Sequence, residues 1–170
     1  MENKPFLLVV DDEDGCRQAL RAVFKNEYHV LMASDGTQAI GVARSNPVNV
    51  CVCDIMMPGL SGTAVLQELK QINPKIEVIM LTAFETIETA RLALRHGACD
   101  YLNKPFDVAA MRTAVARAVV KNCHEEAGQQ AEQSSAKAVS TIKIGENKSL
   151  VPRRDHERER GKIYAAERRG

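Results

Sequence analysis

Tryptophan is absent from the 170 residues, and only four Phe and three Tyr are present, so any core must be aliphatic. No stretch approaches the ~18–20 apolar residues of a membrane span, which excludes a helical membrane anchor within this sequence. The opening MENKPFLLVVDDED lacks a signal-peptide pattern: its apolar run, Phe6–Val10, is short, meets four acids and precedes no cleavage site. Net charge is only +1, so whole-chain charge points to no partner. The five cysteines, at 16, 51, 53, 99 and 123, are odd in number and lack the spacing of a disulfide framework, which predicts reduced thiols and a cytoplasmic location. Cys51 and Cys53 would share one face of a strand. No second Cys/His pair accompanies them, so they read as small buried apolar residues rather than half of a metal site.

What is present is a chain with 45% apolar residues, enough for one domain with a true core and an additional segment. Apolar runs alternate with amphipathic segments. Phe6–Val10 reads as a strand, followed by a helix over 13–26 with Cys16, Ala19, Leu20, Val23 and Phe24 on one face. Tyr28–Ala33 is the next strand, then a helix over Asp35–Asn46 with Ala39, Ile40 and Ala43 inward, stopped before Pro47. Val48–Cys53 is a third strand, and Thr63–Ile72 a helix carrying Val65, Leu69 and Ile72. Ile76–Leu81 is a fourth strand, and Thr86–His96 a helix with Ile87, Ala90 and Leu94 in step and Gly97 as its stop. Cys99–Leu102 is a short fifth strand. Asp107 then caps a last helix bearing Val108, Met111, Val115, Ala118 and Val119.

This is an α/β pattern, (βα)5. Continuous apolar strands imply burial on both faces, and alternating units imply a parallel sheet. In such sheets ligands bind off the carboxyl ends of the strands. Asp11 and Asp12 follow the first strand, Asp54 the third, Thr82 and Ala83 the fourth, and Lys104 and Pro105 the fifth. Three crowded carboxylates repel one another unless a cation joins them, and oxygen ligands with room for water suit Mg2+. A divalent ion beside a carboxylate, a hydroxyl and a lysine is a phosphate-handling arrangement. Read singly, each acid is a turn or cap residue, Lys104 a solvated lysine, Thr82 a helix cap and Tyr101 a half-buried strand residue. Their joint occurrence on separate segments reverses that reading.

The motifs V-V-D-D-E-D (9–14), C-D-I-M-M-P-G-L-S-G (53–62), M-L-T-A (80–83) and D-Y-L-N-K-P-F (100–106) resemble, in order and spacing, those of bacterial two-component receiver domains. The resemblance implies a doubly wound, flavodoxin-like five-stranded sheet of order 2-1-3-4-5. It implies that Asp54 is the phosphoacceptor. Mg2+ would be held by Asp11, Asp12, Asp54 and the Met56 backbone carbonyl. Lys104, Thr82 and the Ala83 N–H would meet the phosphoryl group, Thr82 and Tyr101 would act as the switch, and Lys104–Pro105 would be a cis peptide. Pro58, Gly59 and Gly62 would shape the loop after Asp54. The output face, formed by the fourth helix, fifth strand and fifth helix, would present Arg91, Arg95, Tyr101 and Arg112. Met56 and Phe84 occupy the positions that flank the path of the hydrolytic water in this family. Neither can orient water, which predicts a long-lived phosphoryl group. The resemblance implies a sensor histidine kinase or phosphotransfer protein as donor, a downstream protein as reader, and room for a phosphorylation-dependent homodimer.

The receiver is expected over 5–123. Residues 124–170 form a polar tail in which residues 127–170 carry ten Lys/Arg against six Asp/Glu. Such a composition predicts a largely disordered segment with no recognisable effector domain. Its arginines and lysines are interspersed with acids, so a solvated charged tail is preferred over a nucleic-acid contact. His124-Glu125 and His156-Glu157 echo the start of the histidine-kinase H-E-x-x-x-P box, but no proline follows. Three function classes remain: a phosphorelay signalling module, the receiver part of a truncated transcription regulator or hybrid kinase, and an Asp-nucleophile phosphatase. The last needs a second Asp two positions after the nucleophile, where Met56 stands, so no enzyme beyond self-phosphorylation and dephosphorylation is expected. A binding module that is never phosphorylated is the remaining alternative.

Overall fold

The computed structural model describes residues 4–83 and 87–122, with backbone alone for 87–90. The expectations for Phe84, Cys123 and the tail, and those for the Ile87 and Ala90 side chains, lie outside the described residues. All described residues fall in one compact unit, Met1–Ala131.

Strands β1 (Phe6–Val10), β2 (His29–Ala33), β3 (Val48–Asp54), β4 (Glu77–Thr82) and β5 (Asp100–Asn103) alternate with helices α1 (Asp14–Phe24), α2 (Gly36–Ser45), α3 (Gly62–Ile72) and α4 (Ile87–Arg95), and a fifth helix, α5, covers 108–122. The sheet is parallel with order β2-β1-β3-β4-β5. Alternation within each strand splits the core in two. Leu8, Val10, Cys51, Cys53, Val78 and Met80 pack with Ala39 and Ala43 of α2, Val65, Leu66 and Leu69 of α3, and Ala93 of α4. Leu7, Val9, Val50, Val52, Ile79 and Leu81 face Leu20 and Phe24 of α1 and Met111, Val115 and Ala118 of α5. Both faces of the central strands are therefore covered, which is why β1, β3 and β4 are uninterrupted apolar runs. Cys51 and Cys53 lie side by side in the first cluster, fully buried.

Local chemistry sets the helix ends. Asp35 caps α2 by accepting from the Gln38 N–H at 2.8 Å, Ser61 caps α3, and Asp107 accepts from the Ala110 N–H at 2.9 Å. Gly97 ends the α4 segment with φ +92°, a conformation open to glycine. The helix faces differ from the sequence expectation at three positions. Ala19 is exposed on α1. Leu94 is 54% exposed while its neighbour Ala93 is buried, so α4 packs through a small residue. Val108, in the first turn of α5, is exposed because the helix meets the sheet only from Met111 onward.

The amino edge of the sheet holds a buried polar network. Glu77 is 1% exposed and meets the Lys121 ammonium with both carboxylate oxygens, at 2.9 and 3.0 Å. A buried carboxylate requires such pairing. Asn122 donates to the Lys75 carbonyl at 2.7 Å and accepts from Asn49 at 3.0 Å, and Asn49 accepts from the Phe6 N–H at 2.9 Å. The last described turn of α5 is thus fastened to the starts of β1, β3 and β4.

Gly62 opens α3 against β3. A Cβ there would sit 2.0 Å from the Asp54 carbonyl oxygen and 2.8 Å from the Ile55 Cα, both backbone atoms that cannot swing away. Gly41, within α2, has open space around it. Gly62→Ala is expected to destabilise the fold by about 2–3 kcal/mol, and Gly41→Ala to stabilise it by about 0.5 kcal/mol. Urea denaturation followed by far-UV circular dichroism checks both.

Candidate functional site

Strand register brings the site together. Val10 pairs with Cys53, so Asp11 leaves β1 beside Asp54. Asp54 pairs with Leu81, so Thr82 follows one residue on, and Thr82 pairs with Asn103, so Lys104 follows β5. The Lys104 N–H donates to the Thr82 carbonyl at 2.7 Å, and the Ile55 N–H to the Leu81 carbonyl at 2.8 Å. The Lys104–Pro105 peptide is cis.

Carboxylate oxygens of Asp11, Asp12 and Asp54 lie within 4.8 Å of one another. Asp11 and Asp54 are buried, and Asp12 is exposed at the mouth. Lys104 Nζ lies 2.7 Å from Asp54 Oδ2, as a hydrogen bond, and 2.7 Å from Asp11 Oδ2, as an ion pair outside hydrogen-bonding direction. The exposed Glu13 carboxylate is 3.9 Å from the same ammonium. Burial pushes the Lys104 pKa down, but the close contacts with the Asp11 and Asp54 carboxylates outweigh it and raise the pKa. Lys104 therefore stays charged throughout the physiological range. Asp54 Oδ1 accepts from the Met56 N–H at 3.0 Å, and the Met56 side chain is 61% exposed.

The donor set fits a hard divalent cation. It is oxygen-only, anionic and partly open to solvent. Asp11 Oδ2, wholly buried, receives no directed hydrogen bond among the described residues.

Thr82 is buried at the end of β4, and Ala83 is exposed beside it. Tyr101 pairs with Met80, two residues before Thr82, and packs against the same cluster as Met80. Thr82 and Tyr101 thus belong to one face of the sheet. Arg91 and Arg95 are exposed on α4. Arg112 turns away from α4 instead. It pairs with Glu27 at 2.5 Å, donates to the Val23 carbonyl at 2.8 Å and lies over the Phe24 ring at 5.7 Å, so it joins α5 to the end of α1.

Two residues near the acids carried no motif signal. Arg17 donates to the Asp11 and Asp12 carbonyls and pairs with Asp14. By sequence it is one basic residue three places after an acid, which reads as a solvated helix pair. Cys16 is half-buried on the same helix. Burial, then its hydrogen bond to Asp11 and the negative charges nearby, push its thiol from 9.0 up to about 12.

An α/β domain of flavodoxin-like order, with acids and a lysine converging at the carboxyl edge of its sheet, is the class that fold and site define. Residues 7–116 match the family model of the response regulator receiver domain, and the chain belongs to that family. The transcriptional regulatory protein ZraR of Escherichia coli K12 is 37% identical over 114 residues, covering 66% of this chain and 26% of ZraR. The probable transcriptional regulatory protein TcrX of Mycobacterium tuberculosis is 37% identical over 103 residues, covering 60% of this chain and 44% of TcrX. The chain thus spans about a quarter of the length of ZraR. The crystal structure of a response regulator receiver domain protein from Clostridium thermocellum superposes with a TM-score of 0.65 at 32% identity, covering 69% of this chain and 95% of that one. The protein carries a receiver domain of the two-component response regulators, a signalling domain. No helix among the described residues is long and apolar enough to cross a membrane.

Cys16 and Cys99 both have thiols pushed up to about 12, chiefly by burial. The folded state keeps these protons where the unfolded chain, with ordinary values near 9.0, releases them. Their contribution to stability is complete below pH 9 and declines as pH rises from about 9 towards 12. Iodoacetamide at pH 8, read by peptide mapping, should modify both cysteines much more slowly in the native protein than in urea.

Proposed function

We propose that the domain accepts a phosphoryl group on Asp54 from a sensor histidine kinase or phosphotransfer protein. The observation that carries this reading is the meeting of the buried Asp54 carboxylate with Lys104 at 2.7 Å, inside a three-acid cluster at the sheet edge. The Asp54 oxygen forms the new P–O bond, and the bond from phosphorus to the donor breaks. With acetyl phosphate as donor the leaving group is acetate. Lys104, held as an ammonium, stabilises the phosphoryl oxygens as charge shifts onto them. Asp11, Asp12 and Asp54, with the Met56 carbonyl, would hold Mg2+, which when bound offsets the negative charge that the phosphoryl group brings to the acids.

The acyl phosphate carries more charge than the carboxylate it replaces and draws in the Thr82 hydroxyl, the Ala83 N–H and Lys104. Tyr101, on the same sheet face as Thr82, fills the space vacated. The surface of α4, β5 and α5 then presents a different packing to a downstream protein or a second copy of the chain, which is a population shift driven by one local charge. We assign residues 5–123 to this domain and 124–170 to a polar tail, in a cytoplasmic protein. A second reading, supported by the names and lengths of ZraR and TcrX, makes the domain the receiver of a larger transcription regulator. Binding of a specific promoter by the protein would favour it.

Incubation with acetyl phosphate and Mg2+ should add one phosphoryl group to the wild type and none to Asp54→Ala, by intact mass. Addition to both would place the acceptor elsewhere. Addition to neither, with Mg2+ binding present, would mean either dependence on a cognate kinase or a module that signals by binding alone. Met56→Asn combined with Phe84→Glu is expected to shorten the lifetime of the adduct, and an unchanged lifetime would sink the role given to these positions.

A further inference from the structure

We propose that Arg17 is a positioning residue for the cation site, acting through the backbone of the acid loop; the inference rests on reading Asp11, Asp12 and Asp54 as that site. Arg17 leaves α1 with its side chain only 14% exposed. Its Nη1 donates to the Asp11 carbonyl at 2.7 Å and to the Asp12 carbonyl at 3.0 Å. Its Nη2 donates to Asp14 Oδ1 at 2.9 Å.

Those two carbonyls belong to the peptide planes on either side of Asp12. One rigid guanidinium nitrogen therefore ties both planes, and with them the backbone angles that aim the Asp12 Cβ. Asp12 is the exposed acid of the three, so it is the one whose direction the packed core does least to fix. A carboxylate already aimed at the cation loses less conformational freedom on binding it. The planar fork of arginine suits this task better than the single rotating ammonium of lysine. The carboxylate to which Arg17 is paired, Asp14, lies outside the cluster, so its charge does not take a coordinating oxygen.

Charge alone and positioning predict opposite signs. Arg17 is a cation near a cation site, so by Coulomb repulsion its removal should tighten Mg2+ binding. If Arg17 aims Asp12, its removal should weaken binding. A role confined to the α1 ion pair should change stability and leave Mg2+ affinity where it was.

The full chain is titrated with Mg2+ while backbone amide shifts of residues 11–13 and 54–56 are followed by NMR, which also reports folding. Arg17→Ala is expected to bind about tenfold more weakly, in the range seen when groups that orient metal ligands are removed. Arg17→Lys should fall between the two. Asp14→Asn, which weakens the ion pair and keeps the carbonyl bonds, should stay within about twofold of wild type. Unchanged or tighter binding by Arg17→Ala overturns the proposal, as does an equal loss in Asp14→Asn. If Arg17→Ala does not fold, Arg17→Lys decides, and wild-type affinity there overturns it. Absence of Mg2+ binding by the wild type overturns the cation reading itself, and the role of Arg17 with it.

Discussion

Asp11, just past β1, and Asp54, the last residue of the neighbouring β3, are buried carboxylates, and their mutual repulsion is the constraint around which the carboxyl edge is arranged. Two like charges 4–5 Å apart oppose each other by roughly 3–4 kcal/mol at an effective dielectric near 20. The fold answers with Lys104, brought from the far side of the chain by β5 to within 2.7 Å of both. The acids and the lysine need one another: the acids keep a half-buried ammonium protonated, and the ammonium lets two acids share one edge. Three carboxylates against one lysine still leave negative charge in excess, which suits a site that recruits a cation.

That balance depends on the sheet. In a parallel sheet buried on both faces, a one-residue shift would exchange its two apolar clusters and force both to repack. Register therefore transmits positions across the domain, from Val10 to Cys53, from Asp54 to Leu81 and from Thr82 to Asn103. Gly62 belongs to the same mechanism, since its missing side chain lets α3 begin in contact with the backbone of Asp54.

Much of this was legible in the sequence. Continuous apolar runs gave away the buried strands, and polar residues directly after them marked the edge where the acids and Lys104 meet. Helix faces were less legible. A few apolar residues at helical spacing fix the period but not the phase, so Leu94 was read as inward where the structure buries its neighbour Ala93. Arg112 illustrates a different limit: its helix was evident, but its direction depends on Glu27 and Val23, which lie 85 and 89 positions away in the chain. Arg17 was hidden for a third reason, because its partners are backbone carbonyls and those leave no trace in residue types. The same applies to Glu77, an acid at the start of an apolar strand whose two-pronged pairing with Lys121 spans 44 positions.

That pairing gives the domain a mechanical polarity. The acids and Lys104 gather at one rim of the sheet, while α5 is riveted to the other through Glu77–Lys121 and Asn122–Asn49. A tug applied beyond residue 122 would be borne first by these rivets, far along the strands from Asp54. Load carried by α5 near residue 122 therefore enters the domain at the rim opposite the acid cluster, while Arg112 ties the first turns of the helix to the end of α1.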